Sequence, residues 1–188
     1  GCEWRATLGV TSRRGEDATV AVERHDAIER ESPLAVTLVM ATIAADAMDY
    51  AVRKAVELGC ASIVPVVAAR SQGSTQRDAR VAHWRRIAIA ACEQCGRNRI
   101  PAIDAPVPLA GWLDVRDPRR AGIVLAPGAG ASVATLPTVD ALDVLVGPEG
   151  GLDDTELAAA TLAGLTPVAL GPRVLKAETA AIAALAAL

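Results

Sequence analysis

The chain has 188 residues, 52% of them apolar and 22% charged, with a net charge of −3. That length builds one good hydrophobic core with at most a small appendage. The charge balance excludes a globally electropositive nucleic-acid binder, and three Trp, one Tyr and no Phe exclude a sheet that stacks bases on aromatic platforms.

Residues 1–24 alternate apolar and polar side chains, as in Trp4-Arg5-Ala6-Thr7-Leu8 and Thr19-Val20-Ala21-Val22-Glu23, around the polar segment Ser12–Asp17. This pattern predicts a β-hairpin. Arg24–Pro33 is charged, ends in Ser32-Pro33 and is expected to be a linker. Leu34–Ile43 is a continuous apolar run, the mark of a strand covered on both faces. A helix over Ala47–Leu58 follows, with Met48, Ala51, Val52, Ala55 and Val56 on one face and Gly59 as its stop.

Next come a strand at Ser62–Val67, a loop at Ala69–Arg77 and a helix at Asp78–Cys95. Ile100–Ile103 is expected to be a short strand, Pro108–Val115 a short helix and Gly122–Leu125 a buried strand leading to the loop Pro127–Ser132. Leu142–Val146 (strand), Asp153–Ala163 (helix), Pro167–Leu170 (strand) and Ala177–Leu188 (helix) complete the pattern. Asp153 and Glu156 have capping-box spacing. Strands alternating with helices imply an α/β fold: a parallel sheet with helices on both faces.

Two strand ends stand out. Leu142–Val146 runs into Gly147-Pro148-Glu149-Gly150-Gly151, and Pro167–Leu170 runs into Gly171-Pro172-Arg173-Val174-Leu175-Lys176. Adjacent strand ends with such side-chain-poor loops form a crevice in which main chain touches a small ligand. Gly128-Ala129-Gly130 lacks both the Gly-Lys-Ser/Thr ending of a P-loop and the third glycine of a dinucleotide fingerprint, so it reads as a surface loop. Cys92-Glu-Gln-Cys95 lies inside a helical pattern without a second ligand pair, and His25 and His83 are isolated. Two reduced, helix-packed thiols are expected there, and no metal.

The two glycine loops, GPEGG and LGPRVLKAETA, together with Ala88–Pro101 (AIAACEQCGRNRIP), Trp84 and MDYAVRKAVELG at Met48–Gly59, resemble the RsmE family of SPOUT methyltransferases. The resemblance covers about Leu38 to Leu188. It implies S-adenosylmethionine as cofactor and methylation of N3 of a uridine in the decoding-site helix of 16S rRNA, on the small ribosomal subunit. It implies a C-terminal trefoil knot, which periodicity alone does not reveal. It also implies a homodimer whose pockets are completed by the neighbouring subunit. The family carries a longer N-terminal PUA-like β domain. Residues 1–32 are therefore expected to be a remnant of it and 33–188 the methyltransferase domain; the chain opens Gly-Cys-Glu in mid-pattern, as a fragment would. With no leader and no apolar tract long enough to span a bilayer, a cytoplasmic, non-membrane protein is expected.

On this resemblance the cofactor falls to Leu125, Ala126 and Pro127, to Val146, Gly147 and Gly151, and to Leu170, Gly171, Val174, Leu175, Thr179 and Ala180. Glu149 is the candidate for proton handling and Arg173 for steadying the uridine anion; Glu178 is expected to be a helix-dipole partner. Arg70, Arg97, Arg99 and Lys176 are the candidate RNA contacts. Most relatives carry arginine where Lys176 stands, so the charge is kept there without the bidentate fork; they also carry basic residues where Ala44 and Ala47 stand, so RNA is expected to be held differently or more weakly at that edge. The alternatives are a SPOUT enzyme for another RNA such as tRNA, a catalytically silent RNA- or ribosome-binding module and, more distantly, a nicotinamide-dependent oxidoreductase.

Overall fold

The computed structural model describes residues 3–9, 18–72 and 77–188. Strands β1 (Glu3–Leu8) and β2 (Val20–Asp26) form an antiparallel pair with a register shift at Arg5/Ala6. The predicted hairpin therefore has its two strands, while its turn at Ser12–Asp17 lies outside the described residues. Trp4, Leu8, Val20 and Val22 on this ribbon are mostly exposed.

The larger sheet is built from β3 (Ala35–Ala41), β4 (Ser62–Val67), β5 (Ala102–Ile103), β6 (Val107–Pro108), β7 (Ala121–Leu125), β8 (Ala131–Ser132), β9 (Ala141–Val146) and β10 (Thr166–Ala169). Its order is β5-β4-β3-β9-β7-β10-β8, with β6 also beside β4, and every pairing is parallel. The helices are α1 (Ala45–Glu57), α2 (Arg77–Cys95), α3 (Leu109–Val115), α4 (Asp154–Leu162) and α5 (Ala177–Ala187).

The apolar run of β3 shows why the sheet is parallel and central. Val36, Leu38 and Met40 join a core with Met48, Ala51, Val52 and Ala55 of α1, Trp84 of α2, and Ala181, Ala184 and Leu185 of α5. Val39 and Ala41 join the opposite core with Leu109 and Leu113 of α3 and Ala160 of α4. Each fully buried aliphatic chain contributes roughly 1.5–3 kcal/mol, so a strand apolar on both faces needs helices on both. The α1–α2 seam is filled by Val56, Ala88, Ala91 and Cys92, which places Cys92 as a packed thiol.

Helix α4 starts on the expected capping box: Asp153 accepts from the Glu156 N–H at 2.8 Å, and Glu156 accepts from the Asp153 N–H at 3.0 Å. Gly59 ends α1 at φ +84°. Two differences from the sequence reading are local. Ala131–Ser132, expected as loop, pairs with β10, and Val107–Pro108 pairs with β4 before α3 begins. Both are two-residue strands, too short for periodicity to register.

Candidate active site

Strands β9, β7 and β10 are neighbours, so their carboxyl ends open side by side. The chain steps inward from β7 to β9, then crosses back over β7 to β10, and the crevice forms where these connections diverge. It is a cleft of about 210 Å³ between three strand-end loops and the first turns of α5. Leu125, Ala126 and Pro127 come from β7, Val146, Gly147, Glu149 and Gly151 from β9, and Leu170, Gly171, Arg173, Val174 and Leu175 from β10. Ala177 and Ala180 close the side formed by α5.

All the residues expected around a cofactor thus meet in this cleft except Thr179, which is exposed elsewhere on α5. The helical period explains the exception: Ala177 and Ala180 stand three apart on one face, and Thr179 falls on another. Pro148, Leu152, Leu157 and Val168, which the sequence reading did not single out, also line it. Leu157 was findable, since the helical spacing from Asp153 turns it back toward the loop.

The glycines do different jobs. Gly171 (φ +108°) and Gly151 (φ +70°) hold left-handed backbone that L side chains rarely adopt, and no atom stands within 4 Å of an added Cβ at either. They bend the chain and leave open space beside it. A Cβ on Gly147 would meet Leu152 at 3.1 Å, so that glycine serves the folding of its own loop rather than keeping ligand space clear.

Three side chains tie the Gly147–Gly151 loop and the first turn of α4 to the residues that follow β3 and β4. Glu149 Oε1 accepts from the N–H of Ala44, the N-cap residue of α1, at 3.0 Å. Arg70 Nη1 donates to the Gly150 carbonyl at 2.8 Å. Glu156, besides capping α4, accepts from the Ala69 N–H at 2.7 Å. Glu149 and Arg173 are exposed at the cleft, Lys176 is exposed as the N-cap of α5, and Glu178 sits in that helix's first turn.

Arg97 requires a correction. Expected at an RNA surface, it is buried: its Nε and Nη2 donate to Glu31, and Nη1 donates to the carbonyls of Val56 and Cys60 at 2.8 and 3.1 Å. Burial works against the charged guanidinium, but the hydrogen bond and the charge of the Glu31 carboxylate, with smaller help from Cys92 and Cys60, together outweigh it, so the Arg97 pKa is raised. Asn98 Nδ2 donates to the Ile28 carbonyl at 3.2 Å, and Arg99, exposed, pairs with Glu29 at 2.7 Å. This block clasps the linker to the end of α1. Sequence cannot distinguish such an arginine from a free one, because its partner lies far away along the chain.

A parallel α/β sheet that gathers three glycine-bearing strand ends into one cleft, and leaves little but main chain and apolar walls there, defines a protein that grips a small ligand by its backbone. The RNA methyltransferase domain family matches residues 30–188, and the chain belongs to that family. It is 34% identical over 162 residues to the ribosomal RNA small subunit methyltransferase E of Buchnera aphidicola, covering 84% of this chain and 66% of that protein. The crystal structure of the same-named enzyme from Neisseria gonorrhoeae, bound to S-adenosyl methionine, superposes with a TM-score of 0.91 at 33% identity over 100% of this chain and 78% of that one. A methyltransferase from Legionella pneumophila in complex with bound SAM gives 0.89 at 32% identity, covering 98% and 76%. The chain spans just under two thirds of the length of the Buchnera relative. The resemblance read from the two glycine loops is borne out.

Proposed function

We propose that this chain is an S-adenosylmethionine-dependent methyltransferase acting on N3 of a uridine in the decoding-site helix of 16S rRNA, within the small ribosomal subunit. The observation that carries the reading is the cleft at the ends of β7, β9 and β10, in a chain similar to two methyltransferases solved with SAM bound. The residues present fit that cofactor: the open space beside Gly171 and Gly151 admits a close main-chain approach, and Leu170, Val174 and Leu175 give apolar walls to an adenine. Bound there, S-adenosylmethionine would supply an electrophilic methyl group on a sulfonium.

The chain's own contribution is then positioning and charge. Uridine N3 is a weakly acidic imide, so the site must favour its anion. Arg173, exposed at the cleft with no side-chain hydrogen bond or ion pair, is assigned that role. Glu149 retains one carboxylate oxygen beyond its bond to Ala44 and is assigned to proton handling. Lys176, Arg70 and Arg99 remain candidates for RNA.

The same reading carries a C-terminal trefoil knot, a homodimer, residues 1–32 as a remnant of a PUA-like domain beside a methyltransferase domain at 33–188, and a cytoplasmic location. No described helix is long and apolar enough to cross a membrane, and the described residues hold no cluster of metal ligands.

Calorimetry with S-adenosylmethionine, followed by methylation of 30S subunits from a strain lacking the modification and mass spectrometry of the product nucleoside, tests the proposal. Binding with N3-methyluridine formation is expected. Absence of cofactor binding would remove the enzyme reading and leave a silent module.

A further inference from the structure

Ion pairing sorts the arginines of this protein by region. Arg5 and Arg24 pair with Asp26, Arg30 with Glu3, Arg97 with Glu31, Arg99 with Glu29, Arg119 with Asp117, and Arg116 and Arg120 with Asp143. Among the residues whose side chains are described, Arg53, Arg80, Arg85, Arg86 and Arg173 carry neither an ion pair nor a side-chain hydrogen bond. Arg173 lines the cleft, and the other four lie together on α1 and α2.

Their placement follows from the packing of these two helices. Both helices leave parallel neighbouring strands at the cleft end of the sheet and run in the same direction. Arg97, just past α2, accordingly bonds to Val56 and Cys60 at the far end of α1. His83 Nε2 meets Asp49 Oδ2 at 2.6 Å and fixes the helical register. Arg53 follows Asp49 by four residues and Arg86 follows His83 by three, so both stand one turn beyond that contact, on neighbouring helices. Arg80 stands three residues before His83, nearer the cleft, and Arg85 lies on the outer flank of α2.

Tyr50 completes this ridge. It is 46% exposed and sits one turn before Lys54, whose Nζ is 6.0 Å from its ring centroid. Among the carboxylates of α1 and α2 whose side chains are described, Asp49 faces His83, Glu57 holds Lys54, and Asp46 and Glu93 stand toward the two ends. Neighbouring like charges repel. Leaving the four arginines unneutralised on a chain of net charge −3, whose other described arginines are ion-paired except Arg70 and Arg173 at the cleft, is accounted for by an anion that arrives from outside.

We infer that the α1–α2 ridge, carried by Arg53, Arg80, Arg85 and Arg86, binds the sugar–phosphate backbone of the RNA whose target base enters the cleft. The inference rests on the RNA methyltransferase reading and extends it to a surface distinct from the cleft. Guanidinium forks match phosphate oxygens, and an exposed tyrosine ring offers a base or ribose a stacking face. The contact reads charge rather than sequence, so it supplies affinity and register and leaves base choice to the cleft.

The test compares the unaltered chain with R53A/R85A/R86A and with R119A, whose arginine is paired at the opposite end of the sheet. Affinity for 30S subunits and for naked 16S rRNA is measured between about 50 and 200 mM salt, where phosphate contacts dominate the slope. The triple variant is expected to bind about tenfold or more weakly at low salt, with a log–log slope shallower by roughly 2, while R119A keeps both values. Calorimetry with S-adenosylmethionine and thermal melting of each variant should be unchanged, showing that fold and cleft are intact. An unaltered affinity and slope in the triple variant overturns the ridge alone. An unaltered chain that binds the cofactor but no RNA overturns the RNA reading together with it.

Discussion

The two ends of the parallel sheet are built on opposite principles. At the carboxyl end, β7, β9 and β10 terminate in glycine loops with left-handed backbone and open space beside it. At the amino end, Asp143 of β9 is 4% exposed and receives Arg116 Nε at 3.0 Å and Arg120 Nε at 2.5 Å. Arg116 continues to the Ala163 carbonyl, and Arg120 to the Ala35 carbonyl and the Thr37 hydroxyl. Gly122, register partner of Asp143, makes room for this: a Cβ there would sit 2.3 Å from Arg116 Nη2. The amino end also holds the roomier hollow, about 620 Å³ along Pro33, Arg119 and Leu188, so volume does not locate the site. One end spends its side chains on locking strands together, and the other withholds them so that a ligand can approach.

The sharpest way to break that contrast is Asp143→Ala. It strands the buried Arg116 cation and should cost about 3–5 kcal/mol of stability, measured by urea denaturation, with cofactor affinity unchanged in the fraction that remains folded. Gly171→Val acts at the other end. The strain of a β-branched residue at φ +108° is on the order of 1–3 kcal/mol, and displacement of the loop should lower S-adenosylmethionine affinity by at least tenfold in calorimetry. Unchanged affinity would remove Gly171 from the pocket.

Cys60 tests the amino end through pH. Burial pushes its thiol from 9.0 up to about 11, against weaker opposing hydrogen bonds and the charge of Arg97. Because the folded pKa is the higher one, the stability linked to the neutral thiol is complete below pH 9 and is lost as pH rises toward 11. The unfolding free energy should fall over that window by roughly 1–2 kcal/mol in urea denaturation, and Cys60→Ala should flatten that part of the profile. Arg70→Ala is the mildest change. Losing its bond to the Gly150 carbonyl should weaken cofactor binding by about fivefold, near 1 kcal/mol, with little change in melting temperature.

What could be read from the sequence follows the same division. The apolar runs of β3, β4, β7 and β9 announce their strands, because a strand buried on both faces has to be apolar throughout. The cleft was legible because glycine and proline mark backbone geometry directly, residue by residue. The charge network was not. Asp143 sits inside an apolar run, and nothing in the order of residues joins it to Arg116 and Arg120. Arg97 failed for the same reason: burial of a guanidinium depends on Glu31 and on carbonyls of a distant turn. Free Arg53 and paired Arg99 look alike until their neighbours are known.

The position of β9 beside β3 also has a consequence for how the molecule is made. Ala35 pairs with Ala141, so the middle of the sheet joins segments about a hundred residues apart. On a translating ribosome, at roughly 5–20 residues per second, one edge of β3 waits several seconds or more for its permanent neighbour. Newborn chains therefore pass through an interval with a bare, strongly apolar strand, and a chaperone that shields it should raise the yield of correctly assembled protein.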